Sequence, residues 1–489
     1  MMSTVWFRRV LSLAATVLAG LLLAGLHPAA AGPVGSIRVP DTMPSMLPET
    51  GPSLANPVAL NSAWAQPDHR PLGVYLDNYN LTNEQIEAAR STGCRLVRLA
   101  IPMEKFLDEQ EQDWAVLDQV VSRLNRAGFE ILPVLTAKVA VPEFYVEFCR
   151  RVAERYGPTF EYYQLLDNIN YKIGLGTRDY ADLLSQVRTA LVVADRDAKL
   201  VSGGIRGADL SYLDLLARQG AVRSIDVIAL NLYPPRGAIE EVTSGGMAEH
   251  SLPYVERAVE WAESYNKRLW VTSYGVSTSY NWVGVDQAAQ AALYARGALY
   301  LGWLGAERII FASIQDTDPS SQRPAECCGL LDVTGAPKAS YYALKSLNIA
   351  IDGAYHIEPP FLYQGFTFQQ PEATDVLMAA ELIDTPEEAF IDQFRVYGIP
   401  IYAFWFYAPE SEEYRLLYWL GSEPTSPTLL TLNLGSIGLT PVERFILLDN
   451  APSPVEYAAA QNFLYLPYQP VSTMPGVIRF EVNEHGRSG

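Results

Sequence analysis

The stretch Gly93-Cys94-Arg95-Leu96-Val97-Arg98-Leu99-Ala100, then a helical run at 114–126, then Gly128-Phe129-Glu130-Ile131-Leu132-Pro133-Val134-Leu135, decides how the chain is read. A short apolar run, a run of helical period, a glycine where a helix C-cap belongs and a second short apolar run together make one βα unit of a parallel sheet. The pattern continues in both directions. Strands are expected at 73–76, 95–100, 130–135, 162–167, 199–203, 227–232, 269–273 and 308–314. Helices are expected at 82–91, 114–126, 142–156, 178–194, 212–219, 253–265, 286–304 and 338–349, the first opened by a capping box of Thr82 and Gln85. Eight such units over about 280 residues predict an α/β fold, a closed (β/α)8 TIM barrel, whose usual length is about 250 residues. An open doubly wound sheet would want a glycine-rich phosphate loop after its first strand, and Asp77-Asn78-Tyr79-Asn80 is not one.

The barrel is expected to fill residues 71–352, and the chain changes character on both sides of it. After about residue 351 the helical period stops, and runs such as 402–406, 414–419, 429–434 and 477–482 alternate with Pro, Gly, Ser and Asn. Residues 353–489 are therefore expected to form a C-terminal β-sandwich. Before the barrel, residues 32–70 carry seven prolines, from Pro33 to Pro67, and no sustained period, which reads as an extended linker. Residues 1–31 have Arg8 and Arg9, an apolar run from Val10 to Leu26, and then Pro28 and small residues ending at Ala31. This is a secretory signal with cleavage expected after Ala31, or else an uncleaved N-terminal anchor and membrane tether. Either way the protein is expected to be exported, extracellular or attached to the cell envelope.

With 49% hydrophobic and 19% charged residues, the 489-residue chain can bury a large core. Its net charge of −19, with no cluster of Lys and Arg, argues against nucleic acid as a partner. Four cysteines are too few for a disulfide framework in a chain this long; adjacent Cys327 and Cys328 are expected to be buried and reduced, a vicinal disulfide being the alternative. His69, His250, His356 and His485 are scattered without ligand spacing, so no metal site and no cofactor is expected. Gly203-Gly204-Ile205-Arg206-Gly207 reads as a turn that needs free backbone angles or as an anion-binding loop.

Barrel chemistry sits at the C-terminal ends of the strands. There the segment Glu161-Tyr162-Tyr163-Gln164-Leu165-Leu166-Asp167-Asn168-Ile169-Asn170 resembles the fourth-strand signature of the clan A glycoside hydrolases, in which Trp-Asn-Glu-Pro supplies the acid/base glutamate. Four further stretches resemble the same group in the same order. They are 93–98, 225–233, 268–275 with Val271-Thr272-Ser273-Tyr274-Gly275, and Gly329-Leu330-Leu331-Asp332 followed by Pro337-Lys338 and Tyr341-Tyr342, as in β-xylosidase-like members.

Carried over by position, the resemblance puts the acid/base at Asn168 and the nucleophile at Ser273, and it replaces the preceding Asn by Asp167 and a sixth-strand His by Asn231. Retaining hydrolysis needs two carboxyl groups about 5 Å apart. Asn168 cannot cycle a proton, Ser273 has no histidine to activate it, and general acid/base help is worth roughly 10²- to 10⁴-fold. The resemblance thus implies a degenerate member, a non-catalytic carbohydrate-binding or cell-surface protein. Asp167 is the residual acid at the mouth, and Arg98, Asn231, Tyr233, Tyr274 and Trp282 are the expected sugar contacts, with Tyr79 and Tyr280 also near the rim. A glycosidase working through displaced acids, with Asp167, Asp316 or Asp318 in that role, and a structural protein without a ligand are the competing readings.

Overall fold

The computed structural model describes residues 62–66 and 71–483, apart from 78, 80, 107–110, 172–174, 235–238, 240–247, 280–283, 319–322, 359–364, 370–377, 380, 383–391, 397–398, 422–427, 434–437, 449–450, 456 and 461–462. The leader at 1–31 and Trp282 lie outside the described residues.

Eight parallel strands close on themselves: β1 (Leu72–Leu76), β2 (Leu96–Pro102), β3 (Glu130–Thr136), β4 (Tyr162–Leu165), β5 (Lys199–Val201, resuming at Ile205–Arg206), β6 (Val227–Leu232), β7 (Arg268–Tyr274) and β8 (Ala306–Phe311). β1 pairs with both β2 and β8, and β6 pairs back onto β5 through Val201 with Val227 and Ile205 with Leu230. This is a closed barrel. Each strand is followed by a helix: α1 (Asn83–Ser91), α2 (Glu111–Arg126), α3 (Pro142–Tyr156), α4 (Thr177–Ala194), α5 (Leu210–Arg218), α6 (Leu252–Ser264), α7 (Gln287–Trp303) and α8 (Ala339–Ile351). The capping box at Thr82 and Gln85 is present, and Gly93 and Gly128 take the left-handed conformation that lets the chain leave α1 and α2.

Period-two alternation sorts the strand residues into two sets. One set faces the helices. The other lines the lumen, where Leu96, Leu132, Tyr162, Val201, Val227, Ala229, Trp270 and Ile310 form a closed apolar layer. Two residues further along β2, β4 and β7, and two beyond Ala229 on β6, the lumen turns polar at Arg98, Gln164, Thr272 and Asn231, all buried. The fold thus places a polar layer on an apolar floor at the C-terminal ends of the strands.

Beyond α8 the chain is antiparallel. One sheet runs in the order Glu381–Leu382, Asp392–Val396, Ile399–Ala408, Glu413–Leu420, Gly476–Val482, Leu439–Ile446, Ser453–Pro454, with Tyr355–Ile357 also on Ile399–Ala408. A second sheet runs Met378–Ala379, Gly365–Gln369, Thr428–Asn433, Phe463–Val471, Ala458–Ala460. Ile401, Ala403, Trp405, Leu416 and Tyr418 of the first share a core with Leu432 and Leu466 of the second. The intervening residues Tyr402, Phe404 and Trp419 surround Tyr300 of α7, at ring distances of 5.3, 5.8 and 5.8 Å. The strand Ile399–Ala408 is therefore apolar on both faces over 401–406, which is why that run is unbroken.

The linker expected over 32–70 is corrected at its end. Trp64 is buried at the seam between barrel and sheet: its indole N–H donates to Leu299 O at 3.2 Å, and its carbonyl accepts the His356 amide at 2.8 Å. A Cβ at Gly302 would lie 2.2 Å from the indole nitrogen, so α7 needs glycine there to receive the ring.

Candidate functional site at the barrel mouth

The polar layer is one hydrogen-bonded network. Arg98 is fully buried; its Nε donates to Gln164 Oε1 at 2.6 Å, one terminal nitrogen donates to Asp167 Oδ1 at 2.8 Å, and its guanidinium carbon lies 4.6 Å from the centre of the Tyr75 ring. Gln164 donates to Thr272 Oγ1 at 3.3 Å, and Thr272 donates to Asn231 Oδ1 at 3.1 Å. Asn231 in turn donates to Asp167 Oδ1 at 2.7 Å and to Asn168 Oδ1 at 3.3 Å. Burial pushes the Tyr75 phenol up to about 12, so it stays neutral beside the guanidinium.

The chain is shaped to bring these groups together. Leu166 and Asn168 have φ of +65° and +53°, a left-handed excursion that ends β4 and turns Asp167 to the mouth. Opposite it, β5 breaks at Gly203-Gly204. A Cβ at Gly204 would lie 2.3 Å from Asp167 Oδ1 and 2.4 Å from Asn231 Nδ2, and one at Gly203 would lie 2.6 Å from Leu165 O. Neither glycine has a positive φ in the way Gly207 does. The pair is there for close approach, which corrects the expectation of a turn needing free backbone angles.

Of the residues expected from sequence, Arg98, Asp167, Asn168 and Asn231 meet in this network. Ser273 follows Thr272 of this network, and its Oγ lies 2.6 Å from the Tyr233 hydroxyl. Burial raises the Tyr233 phenol well above its ordinary value, so the group beside Ser273 is a neutral hydroxyl and no base. The Tyr233 amide donates to His250 Nδ1 at 3.0 Å, and burial, aided by Arg206, lowers that imidazole to about 4.

Tyr274 is a correction. It is fully buried, and its hydroxyl donates to Leu293 O of α7 at 2.9 Å. The physical reason is a register shift: Leu230 pairs with Val271 but Asn231 pairs with Ser273, so β7 holds one extra residue. Thr272 and Ser273 both face the mouth, and Tyr274 falls on the helix side, where Gly297 leaves room for it.

Several other acids and both thiols of this end are engaged. Asp316, an alternative displaced acid, has its side chain buried against Lys338 at 3.0 Å and accepts the Gly329 amide at 2.6 Å. Burial raises its carboxyl and Lys338 works against that. A pocket of about 500 Å³ opens beside the pair, lined in part by Thr278, Asp286 and Asp332. Asp286 and Asp332 both serve backbone amides. Cys327 and Cys328 are buried free thiols donating to Asp318 O and Pro324 O. Tyr79 donates to Asp113 at 3.2 Å. Among the described residues no group of three His, Cys, Asp or Glu side chains could hold a metal ion, and no helix is long and apolar enough to cross a membrane.

Gln164, Thr272 and Tyr75 were missed from the sequence. Their signal was nonetheless present: each polar or aromatic residue stands two positions from a lumen-facing neighbour.

No family model matches the sequence, and no curated protein matches it. Solved structures do. A family 39 glycoside hydrolase from the gut symbiont Bacteroides cellulosilyticus WH2 matches with a TM-score of 0.61 and 16% identity, over 84% of this chain and 81% of that one. The fold is that of the glycoside hydrolases of families 39 and 51. A monomeric β-xylosidase from Caulobacter crescentus CB15 gives 0.53 at 12% identity over 88% and 99% of the two chains. A family 51 α-L-arabinofuranosidase from Bifidobacterium longum gives 0.54 at 12% identity over 89% and 100%. The glycoside-hydrolase fold therefore extends past the barrel into the sheets that follow it.

Proposed function

We propose that this chain is an exported carbohydrate-binding protein built on a glycoside-hydrolase fold and lacking the hydrolytic reaction. The observation that carries the reading is the state of the mouth. The positions assigned by resemblance to acid/base and nucleophile hold an amide, Asn168, and a hydroxyl, Ser273. The nearest carboxylate, Asp167, spends one oxygen on Arg98 and Asn231. A general acid must hold a proton and release it in the transition state, and a nucleophile must carry charge toward the anomeric carbon. No described group of the network is placed to do both. What remains are amide, guanidinium and hydroxyl groups over an apolar floor, the composition that holds a sugar by its hydroxyls and its apolar face. The apolar run 10–26 and the small residues to Ala31 support export.

The test is a screen of the mature chain for binding across a glycan panel and for turnover of aryl glycosides. Saturable binding without turnover is expected. Turnover abolished by Asp167→Asn would replace this reading with that of an enzyme using a displaced acid, and failure to bind any glycan would leave a structural role.

A further inference from the structure

We infer that the mouth carries an anion subsite, built on Arg206 and Tyr171, that takes the carboxylate of an acidic sugar residue; this rests on the carbohydrate-binding reading and adds the class of sugar. Arg206 ends the resumed part of β5, with Asn231 as its partner across the sheet. Partners in register send their side chains to the same side of a sheet. Asn231 points into the network beside Asp167 and Thr272, so Arg206 stands over the same opening.

Its position is fixed at both ends. Asn170 accepts the Arg206 amide at 2.9 Å and donates to its carbonyl at 3.1 Å. The guanidinium carbon lies 4.6 Å from the centre of the Tyr171 ring, and Tyr171 is 59% exposed. The Tyr171 amide donates to Asn168 O at 2.9 Å, which ties the ring to the network.

The other cations at this end are matched, Arg98 by Asp167 and Lys338 by Asp316. Among the described residues the Arg206 guanidinium has no hydrogen-bond acceptor and no ion-pair partner. The acids around it are Asp209 and Glu249. Asp209 serves the Tyr212 amide and Asn170, whereas Glu249 feels Arg206 through space without bonding to it. A planar fork of five donors, held against a ring and unspent, suits a carboxylate approaching edge on, and little ordering cost remains to be met when one binds. In a chain of net charge −19 the long-range field repels an anion, so affinity for one has to come from such a local contact.

The experiment compares matched oligosaccharides that differ only in a C6 carboxylate or hydroxymethyl group, with sulfated analogues as a third arm. The uronate is expected to bind at least tenfold tighter. Arg206→Gln should remove that preference, Arg206→Lys should lose most of it because the fork is gone, and Tyr171→Ala should weaken it, all at unchanged melting temperature. Equal affinity for the matched pair with binding retained overturns the subsite and leaves the carbohydrate reading standing. Preference for the sulfated sugar overturns the carboxylate assignment. Absence of binding to every sugar overturns the underlying reading and this one with it.

Discussion

Asp167 serves structure before it serves any ligand. Its carboxylate is the counter-charge of Arg98, which is wholly buried and keeps one nitrogen without a partner among the described residues. Removing one member of a buried pair leaves the other uncompensated and typically costs about 3–5 kcal/mol. Asp167→Ala is therefore expected to lower unfolding free energy by roughly 3 kcal/mol in urea titrations. Asp167→Asn, which keeps a carbonyl for the guanidinium, should lose less, about 1–2 kcal/mol. Equal losses would show that the charge pairing contributes little. Asn168 has its own constraint: at φ +53° asparagine is tolerated better than most side chains, so installing glutamate there costs about 1 kcal/mol before any chemistry. The double variant Asn168→Glu with Ser273→Glu is expected to be less stable yet to show aryl-glycoside turnover that the parent lacks. A folded, sugar-binding double variant without turnover would place the two positions outside catalytic reach of the sugar.

At the scale of elements, the sequence was most legible where a side chain's direction follows from a simple period. The expected strand at 227–232 and helix at 142–156 agree with the structure to the residue, and the other barrel elements differ by a few residues at their ends. The polar layer could have been read in full from the same alternation, since Arg98, Gln164 and Thr272 each follow an apolar lumen residue by two. Tyr274 could not, because one extra residue in β7 inverts its direction and no local pattern marks that bulge. Gly203 and Gly204 were ambiguous for a related reason: a glycine needed for close approach looks in sequence like a glycine needed for a turn. Trp64 was hidden among prolines, and its partner is a glycine 238 positions away. That contact makes a test. Trp64→Ala should cost about 3–5 kcal/mol as an emptied aromatic site, and Gly302→Ala about 1–3 kcal/mol through overpacking. Should both be neutral in thermal melts, residues 62–66 would be an ornament on the seam instead of part of it.

For the whole molecule, two buried histidines, one at the seam between barrel and sheets and one at the mouth, contribute to the response to acid. His356 is fully buried between Phe404 and Phe406, each 5.4 Å away, and neither ring nitrogen has a partner among the described residues. Burial lowers it to about 3, and His250 at the mouth to about 4, from an ordinary 6.5. Both stay neutral in the folded chain while the unfolded chain takes up protons below about 6.5, so stability is full above that pH and falls as pH drops toward 4. His356→Phe should flatten that fall and be neutral or stabilising at pH 7; an unchanged pH profile would remove the seam from the account.

The claim that this fold binds sugar without cleaving it can be tested in one calorimetric titration of the mature wild-type protein with a glycan chosen from the panel. Discrete, saturating heats that return to baseline are the predicted result. A heat flow that persists until the sugar is consumed, and is absent in Asp167→Asn, would contradict it.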